Sequence, residues 1–593
     1  MAGPLRRATL VETSVGPVHV VVHTQAVRHP RDTAVILLPP FGWDDICSYR
    51  PRRDWADALA GAGYLAVRLS YPSAGDSGGV PGDPHLLDAW TDSVAEVARW
   101  QASTFARPRL ALVGIELGGL LACRSVARGL EVADLVLWGA PATGRQFVRR
   151  MQAFSNLEAT ADDSAPDPVA DVSDGVSAGG FRLSEETADQ LRALDVASLP
   201  NLGSGVGRVL LLGRDQLAPD SRLRNHLAET GAELTRAIGN GYSAMTAPSF
   251  EATTPYATIE TVNTWLDTAA GALPAAETAP TAAILKGGPI FVPLPGGATV
   301  RESQLRLQGD HGELSGVLAE STAEEDAGLC LLFLDTGTIR RVGPNRMWVE
   351  AARRWAARGV RSVRFDMDGM GDSDGDSEPY RDLSKLYDPW LVTQVTAVMK
   401  ELNDRGLAER FAIVGLSAGA YWALHAGLAE ERVAGIALIN PGALVWDPGT
   451  SALGDFRTMR TIARTQTISL ATLRKALGPR GFALAVWLVR AAFGRLLQGA
   501  DAAQLLVGRA DEMREATAEL RSMTARRLLV FCDEEPSLVE ITELRLYDGL
   551  VETEGLEVLR IPTGDHTVRP LWAQRQLHAG IDRWVETLAG PDS

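Results

Sequence analysis

The chain has 593 residues, 46% of them hydrophobic and 22% charged, a globular composition too apolar for a disordered chain. One core rarely grows past roughly 250–300 residues, so at least two domains are expected. Lys and Arg total 58 against 74 Asp and Glu, a net charge of -16; this lacks the basic footprint of a nucleic-acid binder and chiefly favours solubility.

The amino terminus, MAGPLRRATLVETSVG, carries two arginines and no apolar segment, so it does not read as a secretory signal. The cysteines, Cys47, Cys123, Cys330 and Cys532, lie far apart without a CxxC pair. That pattern argues against a disulfide framework or a zinc site and for a cytoplasmic location. Neither a P-loop nor a strand-placed G-x-G-x-x-G is present, and no cofactor or metal is expected.

In chain order, a strand VHVVVHT (18–24) is followed by TAVILLPPFGWDD (33–45), an apolar run ending in a Gly-containing turn. A helix with WADALAGAGY (55–64), the run LAVRLSYPSAGDSGG (65–79) and the strand–turn–helix RLALVGIELGGLLA (109–122) come next. An insertion at about 142–206 begins polar, with ADDSAPDPVADVSDG (161–175), and turns helical at LSEETADQLRALDV (183–196), with Ser184 as N-cap. RVLLLGRD (208–215) and TWLDTAAG (264–271) close the series.

The Ala/Pro/Thr-rich stretch after 271 has no periodicity and reads as a linker. The same series then runs again. It comprises RESQLRLQ and GELSGVLAE (within 301–320), LCLLFLDTGTIRR (329–341), WVEAARRWAARGV (348–360), RSVRFDMDGMGDSDG (361–375), RFAIVGLSAGAYWA (410–423), RLLVFCDE (527–534) and RWVETLAG (583–590). Six segments in preserved order mean two copies of one α/β unit, each a mostly parallel sheet covered by helices. The expected division is 1–270, a linker at 271–284, and 285–593. The second copy's insertion, about 446–525, is helical and Leu/Ala/Arg-rich. Both insertions fit a lid, or a decoration that only packs. The apolar run FALAVWLV (482–489) stops at Arg490, too short for the roughly 20 residues of a membrane span.

Chemistry concentrates in the second copy. Gly415-Leu416-Ser417-Ala418-Gly419 is a G-x-S-x-G elbow between a strand and a helix. The sharp turn would hold Ser417 in a strained backbone at a helix N-terminus, with flanking glycines avoiding collisions. His566, in the turn after the strand LEVLRI (556–561), is the expected base; His425 reads as packed, and His311 and His578 receive no role. The strand RLLVF (527–531) ends in Cys532-Asp533-Glu534-Glu535, three carboxylates that leave the acid open. The order Ser…acid…His is retained. The oxyanion hole is expected from the N–H of Ala418 and the turn Asp335-Thr336-Gly337-Thr338, with Thr338 as donor and Gly337 keeping the turn open. Asp366, Asp368, Asp372, Asp374 and Asp376 imitate a calcium loop, but Ser377 and Leu383 stand where glycine and glutamate are required, so a solvated loop is expected.

These residues resemble the α/β-hydrolase superfamily, in its serine-aminopeptidase-like lipase/esterase branch. The runs G-P-N-R-M-W (343–348) and D-x-D-G-x-G-D-S (366–373) resemble exosortase-system-associated hydrolases. The resemblance implies two fused α/β-hydrolase domains, with Ser417 as nucleophile and His566 as base. The family's Gly-x-x-Asp acid motif falls on Cys532 and Glu535, which favours Glu535 with Asp533 as runner-up. In the first copy the matching places hold Glu116, Gln216 and Ser243. Some family enzymes attack with an elbow carboxylate, but no base accompanies Glu116, so that copy is expected to be a degenerate structural or binding partner.

The expected reaction is acyl transfer from a small-molecule ester or thioester, including one carried on a carrier protein, through acyl-Ser417. Water as acceptor makes a hydrolase. An alcohol or amine makes an acyltransferase or cyclase of specialised metabolism, in keeping with a Gly/Ala/Arg-rich, Lys-poor bacterial composition. A non-catalytic scaffold is the remaining alternative.

Overall fold

The computed structural model describes residues 3–160, 175–200, 202–273, 288–446, 499–533, 535–562 and 564–589. The first half contains β1 (Leu5–Val11), β2 (Val18–Thr24), β3 (Thr33–Leu38), β4 (Leu65–Leu69), β5 (Arg109–Ile115), β6 (Val132–Trp138), β7 (Val176–Ala178), β8 (Phe181–Leu183), β9 (Val206–Leu212) and β10 (Glu233–Ala237). The second contains β11 (Ile290–Pro293), β12 (Thr299–Gln308), β13 (Glu313–Ser321), β14 (Leu329–Phe333), β15 (Arg361–Phe365), β16 (Arg410–Leu416), β17 (Val433–Ile439), β18 (Arg526–Cys532) and β19 (Leu556–Ile561).

The first sheet runs β1-β2-β4-β3-β5-β6-β9-β10, and the second runs β11-β12-β13-β15-β14-β16-β17-β18-β19. Without β11 the two orders coincide, so the repeat read from the sequence is a repeat of topology. In both, the strands from β4 or β15 onward pair in parallel, and the leading strands pair antiparallel. Helices cover both faces of each sheet, so β3 and β14 are buried along their whole length and read as unbroken apolar runs. The edge strands β1 and β11 were not anticipated. β1 carries Arg6 and Arg7 within a polar segment, as edges commonly do.

In the first insertion, Ser184 Oγ accepts from the Thr187 N–H at 3.2 Å and caps the helix Glu185–Ala193 as expected. A helix Gly144–Thr160 and the β7–β8 hairpin complete the described part. The polar run 161–174, the linker beyond 273, the apolar run 482–489 and most of the second insertion lie outside the described residues. No helix among the described residues is long and apolar enough to cross a membrane.

The two halves meet through buried charge. Arg68, on β4, reaches Asp372 of the other half at 2.7 Å; Arg364, at the matching place on β15, bonds Asp76, which matches Asp372 in the repeat. Each half therefore presents the same arginine to the same aspartate of its neighbour, the reciprocal geometry of a two-fold interface within one chain. Tyr49 donates to Asp372 at 2.7 Å, and Arg341 pairs with Asp76 at 2.9 Å and with Asp366. Arg353 donates to Asp76 O and Ser77 O, and Arg53 donates to Gly369 O and Gly371 O.

This seam corrects the expectation of a solvated acidic loop. Asp366, Asp368 and Asp372 are buried, and their carboxylates accept from arginine, tyrosine and backbone donors, the His311 N–H in the case of Asp368. The burial itself opposes their charge, but Arg68 and Arg341 hold the Asp372 carboxyl well below its ordinary range. The partners lie hundreds of residues away in sequence, so no local pattern announces them.

Candidate active site

Ser417 ends β16 and is the N-cap of the helix Ala418–Ala429, with φ 60° and ψ -117°. That is a left-handed conformation for a residue with a side chain, and it projects the hydroxyl away from the sheet. The flanking glycines have the reason the motif implies. A Cβ at Gly415 would overlap the Gly419 carbonyl, and one at Gly419 would overlap the carbonyl oxygen of Asp335. The Ser417 N–H is tied to Ile439 O at 2.9 Å, fixing the elbow to β17.

His566 Nε2 lies 2.9 Å from Ser417 Oγ, and His566 Nδ1 lies 2.9 Å from Glu535 Oε2. The network assigns the Nδ1 proton to the Glu535 bond, leaving Nε2 to accept from the serine hydroxyl. Desolvation lowers the imidazole pKa. The hydrogen bond to Glu535, and the charges of Glu535 and Asp565, raise it by more, so it stands above 6.5.

Glu535 is buried at the start of the helix Pro536–Glu543. Asp533, the runner-up, is exposed and pairs with Arg560 at 2.6 Å. Of the described carboxylates in the turn leaving β18, Glu535 reaches back to His566. Cys532, at the glycine place of the family motif, is a buried thiol pushed up to about 12 by burial, which makes it inert rather than nucleophilic.

Ala418 opens the helix behind the serine, where N–H groups favour negative charge. The turn after β14 passes beside the elbow. Gly337 has φ +57°, and a Cβ there would meet only Leu386 within ordinary contact distance. Thr338 is held across the seam, its Oγ1 donating to Ser249 Oγ of the first half at 2.8 Å. Asp335 is buried, and burial with the neighbouring Asp366 raises its pKa well above the ordinary carboxylate range.

Five residues in this neighbourhood were missed. Asn440, after β17, accepts from the Cys532 N–H at 2.8 Å and donates to His566 O at 2.9 Å, so it fixes the histidine loop. A polar residue at the end of the apolar run IALI was its available signal. A Cβ added to Gly442 would stand 3.6 Å from Ser417 Oγ and would overlap the Tyr387 hydroxyl, so Gly442 keeps open a space shared by both oxygens. Tyr387 stacks on Trp446 at 4.5 Å and meets Tyr421 edge-on at 5.2 Å, forming an aromatic wall. Nothing in the sequence marks this wall, because its members come from separate segments. His425, expected to be packed, has its Nε2 3.1 Å from Leu444 O and its ring 4.2 Å from that of Tyr421.

The first half keeps the elbow backbone with different side chains around it. Glu116 has φ 53° and ψ -110°, almost the Ser417 conformation, and Gly118 again leaves no room for a Cβ, here against Leu38 O. Its Oε2 accepts from the Leu117 N–H at 2.8 Å, the donor equivalent to Ala418, and the carboxylate also pairs with Arg150. The N–H that follows the elbow is thus taken up by the elbow's own side chain. Ser243, at the histidine place, donates from N and Oγ to Asp215. Gln216, at the acid place by count, is exposed; Asp215, one residue earlier, makes the contact.

Residues 341–580 match the model of the alpha/beta hydrolase family, whose members are typically enzymes. No curated protein matches the chain. Similar solved structures include an esterase from Pyrococcus furiosus (14% identity, 44% of this chain and 90% of that one, TM-score 0.32). A proline iminopeptidase from Mycobacterium smegmatis is another (16% identity, 48% and 99%, TM-score 0.30). A third is a hypothetical protein from Pseudomonas aeruginosa (12% identity, 45% and 94%, TM-score 0.31). Residues 341–580 thus place the second half of the chain in the alpha/beta hydrolase superfamily.

Proposed function

We propose that the second half is a serine hydrolase that cleaves a small-molecule ester or thioester through acyl-Ser417, and that the first half is its non-catalytic partner. The observation that carries this reading is the continuous hydrogen-bond chain Glu535–His566–Ser417, at 2.9 Å in each link.

His566 Nε2 takes the hydroxyl proton as Ser417 Oγ bonds to the acyl carbon. The carbonyl electron pair moves onto oxygen, opposite the N–H groups proposed for Ala418 and Thr338. When the carbonyl reforms, the bond to the leaving alcohol or thiol breaks, and the leaving group receives the proton from His566. Water then enters, gives its proton to His566 and attacks the acyl carbon; the serine leaves reprotonated, and a carboxylic acid is released. Glu535 holds the Nδ1 proton and balances the imidazolium in both halves of the cycle.

Hydrolysis of a series of p-nitrophenyl esters tests this, with Ser417→Ala and His566→Ala as controls and mass spectrometry to trap the acyl adduct. The reading requires hydrolysis and a Ser417 adduct in the wild type and neither in the variants. Hydrolysis that survives Ser417→Ala would refute it.

A further inference from the structure

A second cleft lies in the first half, where its strand ends meet the other half. It encloses about 760 Å³, including its open mouth. It lies above the ends of β3 and β4, bounded by the turns 39–42 and 70–75 and by the tip of the β7–β8 hairpin. Neither Ser417 nor Glu116 lines it, although its turn 39–42 is the counterpart of the turn 335–338 beside the second elbow.

Its body is aromatic. Phe41 packs on Trp90 at 5.6 Å and on Phe181 at 5.9 Å, and Tyr71 lies 6.0 Å from Trp90. The polar atoms of these rings are already satisfied: Tyr71 OH donates to Pro39 O at 3.1 Å, and Trp90 Nε1 donates to Pro72 O at 3.0 Å. What remains for a ligand is apolar surface.

The far wall comes from the second half and is polar. Arg340 is 6% exposed, and its Nη1 has no hydrogen-bond partner among the described residues; Asp76, 3.6 Å away, is shared with Arg341 and Arg364. Asn345 is 5% exposed, and its Oδ1 also lacks a partner there, while its Nδ2 donates to Arg569 O. A buried donor and a buried acceptor left open in one wall are costly unless something answers them.

The repeat shows that this is not a general feature of the seam. The matching cleft of the second half encloses about 330 Å³ and is lined by Arg50 at the place of Arg346. There Glu378 pairs with Arg50 at 3.1 Å. In the first half the residue matching Glu378 is Gly82, and the carboxylate of Asp45, which lines this cleft, is paired with Arg52.

We propose that the first-half cleft binds an amphipathic hydroxy acid. Its chain lies on the Phe41, Trp90 and Phe181 surface, its carboxylate accepts from Arg340, and its hydroxyl donates to Asn345 Oδ1. The first half is then a ligand-binding domain built on a hydrolase scaffold, and it needs the second half to complete its polar wall.

Calorimetric titration of full-length Ser417→Ala protein with 3-hydroxydecanoate tests this without turnover at the other site. One equivalent should bind. 1-Decanol, lacking the carboxylate, should bind at least about tenfold more weakly, and decanoate, lacking the hydroxyl, a few-fold more weakly. Arg340→Gln should weaken 3-hydroxydecanoate about tenfold or more. Ala74→Phe, which fills the cleft without touching the ion network, should abolish binding and keeps the test valid if Arg340→Gln fails to fold. No binding, equal binding of 1-decanol, or binding unchanged by Ala74→Phe would overturn the proposal.

Discussion

The two elbows carry nearly the same backbone and opposite side-chain logic. Ser417 and Glu116 share a positive φ and a collision that excludes a Cβ at the following glycine. In one half the strain presents a hydroxyl to an imidazole; in the other the elbow carboxylate bonds its own Leu117 N–H. The strained turn is thus a property of the sheet-to-helix junction, held by packing, and the side chains it presents are a separate layer.

The sharpest way to break this comparison is to change the two elbows in turn. Ser417→Ala should lower ester turnover by roughly four to six orders of magnitude. Glu116→Ala should leave turnover within about twofold while costing about 1–3 kcal/mol in denaturant unfolding, because Arg150 and the Leu117 N–H lose their partner. A large loss of turnover in a folded Glu116→Ala protein would show that the first elbow takes part.

The acid comes next. Glu535→Gln should reduce kcat by about 10²–10⁴-fold, whereas Asp533→Asn, which weakens a half-exposed pair with Arg560, should change it little. The pH profile sharpens this. Protonated His566 cannot accept the serine proton, and its pKa is raised above 6.5, so activity should fall as pH drops through that raised value. Glu535→Gln removes the main groups raising it and should move the acid limb to lower pH. The same shift stabilises the fold at pH below the unfolded histidine pKa, and that contribution fades as pH rises through the folded value.

How much of this was legible in the sequence follows the range of the contacts. The repeat, the elbow and His566 sit in local patterns, and the structure brings Ser417 and His566 into hydrogen-bond distance. The choice among the carboxylates after β18 was not local, because it depends on which residue the turn aims at the histidine. Asp366, Asp368 and Asp372 were misread for the same reason. Arg68 and Tyr49, which bury Asp372, belong to the other half. The aromatic wall of Tyr387, Tyr421 and Trp446 is assembled from three segments and has no linear signature.

The seam offers a third comparison, between matched arginines. Arg68→Met and Arg364→Met each leave buried carboxylates short of a partner, and each should cost about 3 kcal/mol or more of stability in denaturant unfolding. A much smaller cost at either position would show that the reciprocal pairs are not equivalent. A modest effect is expected at Ser249→Ala, which frees the Thr338 hydroxyl. One neutral hydrogen bond is about 1 kcal/mol, so kcat should fall about fivefold with KM little changed, if the first half steadies the oxyanion turn of the second.

The most direct test of the central claim is intact-mass analysis of the full chain after reaction with a fluorophosphonate, followed by peptide mapping. The account predicts a single adduct on Ser417, absent from Ser417→Ala and unaffected by Glu116→Ala. No adduct, or an adduct on a first-half residue, would contradict it.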